Sequence, residues 1–222
     1  MKSLPAIVRA TLTIIAICFV LPAAAPAAVL PQDVVTVDTV FGRNVVDVPV
    51  YIRDVSGTPL GIDQPPGSRI QGYSIKVNYA PASAVQSITF TRAGITSSLT
   101  PLFESSPSAP GTVSLLDSFS ESTNLIPFTL NAPAPGNQIA HLTVTLAPGV
   151  AVGTVITFTL DPTLTQLTDQ SGSGATAETT TNGRLALVNG SITVLPPIPV
   201  FGSWTLALLA VALAAIALRM RA

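Results

Sequence analysis

Between Asp33 and Val194, apolar and polar residues alternate one by one in short stretches rich in Val, Ile, Thr, Tyr and Phe, each closed by Gly, Pro, Asn or Ser. Successive side chains of an extended strand point to opposite faces, so a period of two makes each stretch a strand with one buried and one wet face. The pattern predicts strands over Val34–Val40, Val45–Arg53, Ile70–Tyr79, Val85–Thr91, Thr112–Phe119, Gln138–Leu146, Thr154–Leu160 and Leu164–Leu167, then a final pair from Arg184 to Val194. No stretch keeps helical spacing for three turns, and the short candidate Ala80–Val85 contains Pro81. The fold class is therefore all-β, a two-sheet sandwich of about nine strands. Within Gln138–Leu146 the alternation turns Leu142, Val144 and Leu146 inward and His141, Thr143 and Thr145 outward.

Three stretches break the rhythm: Ser56–Ser68 with Pro59, Pro65 and Pro66; Thr96–Gly111 with Pro101, Pro107 and Pro110; and Asp169–Asn182, nearly all Ser, Gly, Thr and Ala. They read as surface loops, which hold either binding residues or tolerated insertions.

Charged residues make up 9% of the chain, against about 25% in an ordinary soluble domain. Hydroxyls and amides must therefore form most of the wet surface. The formal net charge of -1 argues against recognition of nucleic acid or anionic lipid by charge. The single cysteine, Cys18, precedes the strand region, so no disulfide holds the sandwich together.

Both ends carry apolar runs. Lys2 and Arg9 precede the run Leu12–Leu21, and Pro22 leads into a small-residue stretch in which Ala25 and Ala27 occupy the positions three and one before a cut. Residues 1–27 therefore read as a secretory signal peptide cleaved after Ala27. A lipidated Cys18 is disfavoured by Ile17, which stands where a small residue is expected. The domain follows at 28–195, then a proline-rich linker and motif at 196–200. Residues 201–222 hold Trp204, the unbroken apolar run Leu206–Leu218 and the cations Arg219 and Arg221. That layout predicts a transmembrane helix with a cytoplasmic basic end and the domain on the opposite, periplasmic side.

Chemistry-bearing residues are few. After the signal the chain has one histidine, His141, on an outward strand position and no cysteine, thin material for a nucleophile–base pair. Asp47, Asp54, Asp63, Glu104, Asp117, Glu121 and Asp161 could meet in space as the carboxylate pair a glycosidase needs, though spacing singles out none. Asp161, Asp169, Gln170 and Ser171 border a Gly-rich stretch that offers oxygen ligands to calcium or, more simply, Asx turns.

The tail, with Ile198-Pro199, then Trp204, an apolar span and Arg219 and Arg221, resembles the PEP-CTERM sorting signals and more closely their IPTL-CTERM branch, although Val200 and Phe201 replace the usual Thr and Leu. The resemblance implies recognition by an exosortase, with Ile198, Pro199 and Trp204 read by the enzyme and Arg219 and Arg221 stopping transfer. It further implies delivery to the surface or matrix of a Gram-negative bacterium. A permanent membrane anchor is the alternative.

The domain resembles a cohesin. The likeness rests on the order of Gly42 and Val45-Val46-Asp47-Val48-Pro49-Val50; Gln71-Gly72-Tyr73-Ser74-Ile75-Lys76-Val77-Asn78-Tyr79-Ala80-Pro81; Gln138 to Val144; Leu167-Thr168-Asp169; and Asn189-Gly190-Ser191-Ile192-Thr193-Val194. Ala80 departs from the Asp usual before that proline. The resemblance implies a jelly-roll sandwich related to carbohydrate-binding modules, without catalysis or an obligatory cofactor, whose partner is a dockerin-like protein or an extracellular polysaccharide. A matrix-glycan hydrolase and a self-associating matrix protein are the rival expectations.

Overall fold

The computed structural model describes residues 29–172 and 176–197, with 213 and 219 as isolated positions. The signal residues Ala25 and Ala27 and the tail residues Ile198, Pro199, Trp204 and Arg221 lie outside the described residues. Among those described, no helix is long and apolar enough to cross a membrane. Fourteen strand segments are described: β1 (Asp33–Val37), β2 (Thr39–Gly42), β3 (Val45–Arg53), β4 (Gly72–Ala80), β5 (Val85–Arg92), β6 (Phe103–Ser105), β7 (Ser108–Ala109), β8 (Thr112–Ser118), β9 (Asn137–Leu146), β10 (Val155–Leu160), β11 (Gln166–Thr168), β12 (Glu178–Thr179), β13 (Leu185–Val188) and β14 (Gly190–Val194).

They form two mixed sheets. The first runs β13–β1–β3–β9–β5. The second is built on β4, which pairs with β8 along one edge and with β11 and β10 in succession along the other, while β14 and β2 extend it beyond β10. Short β6 and β7 pair with the far side of β8. The alternation predicted from sequence produces the core between the sheets. Val35, Val48, Val50, Ile52, Leu142 and Val144 point inward from the first sheet and meet Ile75, Val77, Leu115, Ile156, Phe158 and Ile192 from the second, all buried. Leu142, Val144 and Leu146 face in and His141, Thr143 and Thr145 face out, as the period requires.

The stretch Val34–Val40 is not one strand. It breaks at Asp38, and the chain leaves the first sheet as β1 and enters the second as β2. The last pair of strands makes the same passage at Asn189, from β13 to β14. The two crossings run side by side, because β13 lies parallel to β1 and β14 parallel to β2. Leaving one hydrogen-bond ladder orphans backbone groups, and side chains supply the missing partners. The Thr39 N–H donates to Asp38 Oδ1 at 2.8 Å, the Leu160 N–H donates to Asn189 Oδ1 at 2.9 Å, and the Ser191 N–H donates to the Asp38 carbonyl at 3.2 Å.

The segments read as loops are partly strand. β6 and β7 fall within Thr96–Gly111, where they cover the otherwise bare edge of β8, and β12 falls within Asp169–Asn182, where it covers β11. The strand expected at Leu164–Leu167 begins only at Gln166, because Thr163 and Leu164 donate their N–H groups to Asp161 Oδ1 in an Asx turn.

Gly190 sits where the crossings touch. A Cβ there would collide with the Asp38 carbonyl oxygen and come within 2.6 Å of the Val37 carbonyl oxygen, and neither backbone atom can yield. Gly190→Ala is therefore expected to destabilise the domain by about 3 kcal/mol, read by chemical denaturation. Gly149→Ala, at a positive φ with open space around it, should cost only about 1 kcal/mol. Equal effects would remove the crossing contact from the account.

Candidate functional site

The outer face of the second sheet follows directly from strand register. Phe103, Ser118 and Gly72 form one row across it, and Ser105, Leu116, Ser74 and Gln166 the next. Ser114 then sits beside Lys76, Thr112 beside Asn78 and Thr159, and Thr157 beside Ser191. Lys76 is the one charged residue in these rows, and it pairs with Asp161 at 3.6 Å. Around the first two rows the strands and the 170–172 turn enclose a shallow hollow of about 340 Å³, lined by Ser74, Phe103, Leu116, Ser118, Gln166 and Gln170 among others. Phe103 on its rim is 56% exposed, and Leu102 and Leu164 nearby are also exposed. The face thus combines apolar contact area with neutral donors and acceptors.

The outer face of the first sheet differs in charge and relief. There Asp47 accepts from Thr143 Oγ1 at 2.6 Å, and His141 Nε2 lies 3.2 Å from Thr91 Oγ1. His141 is thus a hydrogen-bonded surface residue opposite Pro49.

Beneath the hollow, inward positions of the same strands hold a polar cluster. Tyr73 and Asp117 are direct cross-strand partners, both buried, and the Tyr73 ring meets Phe119 with centroids 6.3 Å apart. Arg92, from the edge of the first sheet, pairs with Glu104 on β6, donates to the Thr96 and Leu99 carbonyls at 2.8 Å each, and lies 5.9 Å over the Phe119 ring. This guanidinium joins the two sheets at the side away from the crossings. Burial, and secondarily the Glu104 charge, push the Asp117 carboxyl up to about 6 against the lowering effect of Tyr73 and Arg92.

A second set of carboxyls is sealed from solvent. Asp33, Asp54 and Glu178 are all fully buried. Each tethers a loop: the Val55 N–H donates to Asp33 Oδ1 at 2.6 Å, the Ile62 N–H to Asp54 Oδ2 at 3.1 Å, and the Leu60 N–H to Glu178 Oε1 at 3.0 Å. Desolvation, with the Glu178 charge next, raises Asp33 to about 9, and burial raises Asp54 to about 6. Burial also raises Glu178. The two carboxyls of Asp33 and Glu178 lie close enough for the Glu178 charge to help hold the proton on Asp33. Asp33 and Glu178 are not among the carboxylates singled out in the sequence. Their only signal there was an acid at the start of an apolar strand and a lone acid in a Ser/Thr-rich loop.

The other acids named from sequence are mostly occupied. Asp63 accepts from the Ser56 hydroxyl and the Gly57 N–H, each at 3.0 Å. Glu104 and Asp117 do come together, as cross-strand partners. The proposed calcium residues form turns: Asp161 accepts from Thr163 and Leu164, Asp169 Oδ1 from the Ser171 N–H at 2.9 Å and hydroxyl at 2.6 Å, Asp169 Oδ2 from Thr176, and Gln170 Oε1 from the Glu121 N–H. Among the described residues no group of three His, Cys, Asp or Glu is arranged to hold a metal ion. Arg219 is described only as an isolated exposed residue in helical conformation.

No protein-family model matches the chain, and no curated protein matches it. Solved structures do. The third cohesin of ScaC from Acetivibrio cellulolyticus, in complex with the ScaB dockerin, is 18% identical with a TM-score of 0.52 over 74% of this chain and 100% of that one. The seventh ScaB type I cohesin from Pseudobacteroides cellulosolvens is 18% identical with a TM-score of 0.51 over 78% and 98%. CaCohA2 from Clostridium acetobutylicum is 18% identical with a TM-score of 0.51 over 77% and 95%. At this identity the likeness is one of fold, and the sandwich has a cohesin-like fold.

The raised carboxyls set a pH dependence. In the unfolded chain they titrate near 4, whereas the folded domain keeps protons on Asp54 and Asp117 to about pH 6 and on Asp33 to about pH 9. The folded state binds more protons between those limits, so this stability is complete below about pH 4 and is lost as pH rises. The melting temperature should fall by on the order of 5 °C from pH 5 to pH 8, and Asp33→Asn should flatten the part of the decline above pH 6. A melting temperature that climbs from pH 5 to pH 8 would contradict the protonated cluster.

Proposed function

We propose that this chain is a non-catalytic, exported binding module that holds a dockerin-like protein partner on the outer face of its second sheet, around the hollow beside Phe103 and Leu116. The observation that carries the reading is the cohesin-like sandwich itself, since a solved cohesin of this fold is in complex with a dockerin. The face adds support. Protein interfaces deplete charge at their centre and favour apolar and neutral polar contact, and these rows offer a single cation that is already paired. A polysaccharide suits the face less well, because Phe41 and Phe103 are the aromatic outward positions in its rows. The non-catalytic reading is supported by the state of the carboxyls that do meet: Asp33, Asp54 and Glu178 are sealed, and Glu104 is held by Arg92.

In the same reading, residues 1–27 direct export and are removed after Ala27. Residues 201–222 anchor the module with the sandwich on the periplasmic side, and Ile198, Pro199 and Trp204 present it to an exosortase for transfer to the cell surface. The sequence features at the two ends support this.

Calorimetric titration with a calcium-loaded dockerin module tests the binding claim. Leu116→Asp should weaken binding by about 30-fold or more, the effect of losing a central contact, while Thr143→Asp on the opposite face should leave it unchanged. Equal loss from both, or no binding, would contradict the assignment. Mass analysis of the mature protein from its native cell tests sorting: a C-terminus between Pro197 and Trp204 is expected, and an intact end at Ala222 would leave a permanent anchor instead.

A further inference from the structure

The chain leaves the sandwich at Pro197, at the end opposite the hollow. The first row of the outer face and the last are separated by most of the length of β4, about 27 Å at roughly 3.4 Å per residue. Two turns and a strand end converge at the exit: the β2–β3 turn, the turn after β9, and the end of β14. They are tied together by the Leu195 N–H donating to the Gly42 carbonyl, the Gly153 N–H to the Val194 carbonyl and the Leu146 N–H to the Asn44 carbonyl, at 2.9, 2.9 and 2.7 Å. Between them lies a depression of about 490 Å³ that includes Arg43, Val45, Val152 and Leu195 in its walls.

This pole is apolar on the outside. Phe41 is 66% exposed, Val45 and Val152 are each 57% exposed, and Val155 and Leu195 are exposed as well. Phe41 and Val155 flank Thr193 in one row of the second sheet, while Val45, Val152 and Leu195 line the depression, so the five fall into two groups at the same end. Five such residues gathered at one end of a small domain need an occupant. Across residues 40–46, 145–155 and 193–197, which build the pole, Arg43 is the one charged residue. Acidic side chains collect at the other end, where Asp33, Asp54, Asp63, Asp117, Glu121, Asp169 and Glu178 lie at the distal strand ends and their loops.

We propose that this pole is a lipid-facing surface, seated in the headgroup region of the bilayer that receives the tail. The inference rests on reading 201–222 as a membrane segment. Given that reading, residues 196–200 are all that separates the pole from the bilayer. With Pro196, Pro197 and Pro199 they reach about 15 Å even when fully extended. A domain held that close must present some surface to the headgroups. The exit pole is apolar and free of acid, whereas at the opposite end the exposed Asp63 and partly exposed Glu121 would be repelled by an anionic leaflet. Contact of this kind comes from buried apolar area rather than from net charge. It fixes the orientation of the sandwich, with β4 running toward the membrane and the hollow beside Phe103 held away from it.

The test uses the full-length chain with Cys18→Ser and a single new cysteine, Val152→Cys at the pole or Glu121→Cys at the far end, each carrying a fluorophore. The protein is reconstituted into phosphatidylethanolamine–phosphatidylglycerol vesicles with and without lipid bearing a spin label just below the headgroup. Val152 is exposed and Glu121 is a partly exposed loop residue, so neither substitution disturbs the core. Seating to the usual depth of about 5–10 Å should quench the fluorophore at 152 at least about twofold more than the one at 121. Equal quenching at both positions in protein that floats with the vesicles would overturn the lipid-facing pole while leaving the anchor intact. Protein that fails to float would overturn the anchor and this inference with it. A fluorophore at 152 that is shielded from water without being quenched by the labelled lipid would assign the pole to residues 198–204 or to a second copy, and would also overturn it.

Discussion

Two strands that change sheets hold this sandwich closed. A β-sandwich is two sheets pressed together by apolar burial, and burial alone is non-directional: it does not fix which edges meet. Here the backbone fixes them. The chain passes between sheets at Asp38 and again at Asn189, and the crossings touch at Gly190, where only the absence of a Cβ permits the approach. Asp38 and Asn189 supply the acceptors that the interrupted ladders lose. On the opposite side the closure is electrostatic, through Arg92 reaching from β5 to Glu104 on β6. One side is thus joined by continuous backbone and the other by a partly exposed ion pair supported by carbonyl acceptors, so the crossings carry more of the constraint.

That closure sets the functional geography. Because β1–β2 and β13–β14 run together, β14 ends beside β2, and the tail leaves from the same pole as the β2–β3 turn. The hollow beside Phe103 lies at the other end of β4, and the tethered carboxyls Asp33, Asp54 and Glu178 lie at that distal end too. The buried acids join β1, the 55–62 segment and β12, three pieces of chain far apart in sequence. Burying carboxyls costs free energy unless they are paired or protonated, and here backbone donors and the proton kept on Asp33 offset that cost.

Much of this could be read from the sequence because period-two alternation is a direct consequence of pleat geometry. The strands from Val45 to Arg53, Val85 to Thr91 and Gln138 to Leu146 fall within a residue or two of their positions in the structure, and the inward set of β9 was visible in its spacing. Alternation does not report which sheet a strand joins. Val34–Val40 therefore looked continuous although Asp38 divides it, and the acid in mid-strand was the available hint. Short covering strands such as β6 and β12 were invisible because their pairing answers a need of the neighbouring strand rather than a pattern of their own. Asp33 and Glu178 lie 145 positions apart in the chain and meet only through the fold. The outer-face hollow was equally hidden, since Phe103 and Leu116 come from a stretch read as loop and from an outward strand position. The tail residues Ile198, Pro199 and Trp204 are legible only as sequence.

The central claim is that one face of this sandwich, and one end of that face, receives the partner. Hydroxyl-radical footprinting of the full chain, alone and bound to a calcium-loaded dockerin module, reads it side chain by side chain. The account predicts that Phe103, Leu116 and Leu164 lose oxidation on binding while His141 on the first sheet and Phe41 at the exit pole keep theirs. Protection at His141 and Pro49 with Phe103 unchanged would place the partner on the other sheet and contradict it.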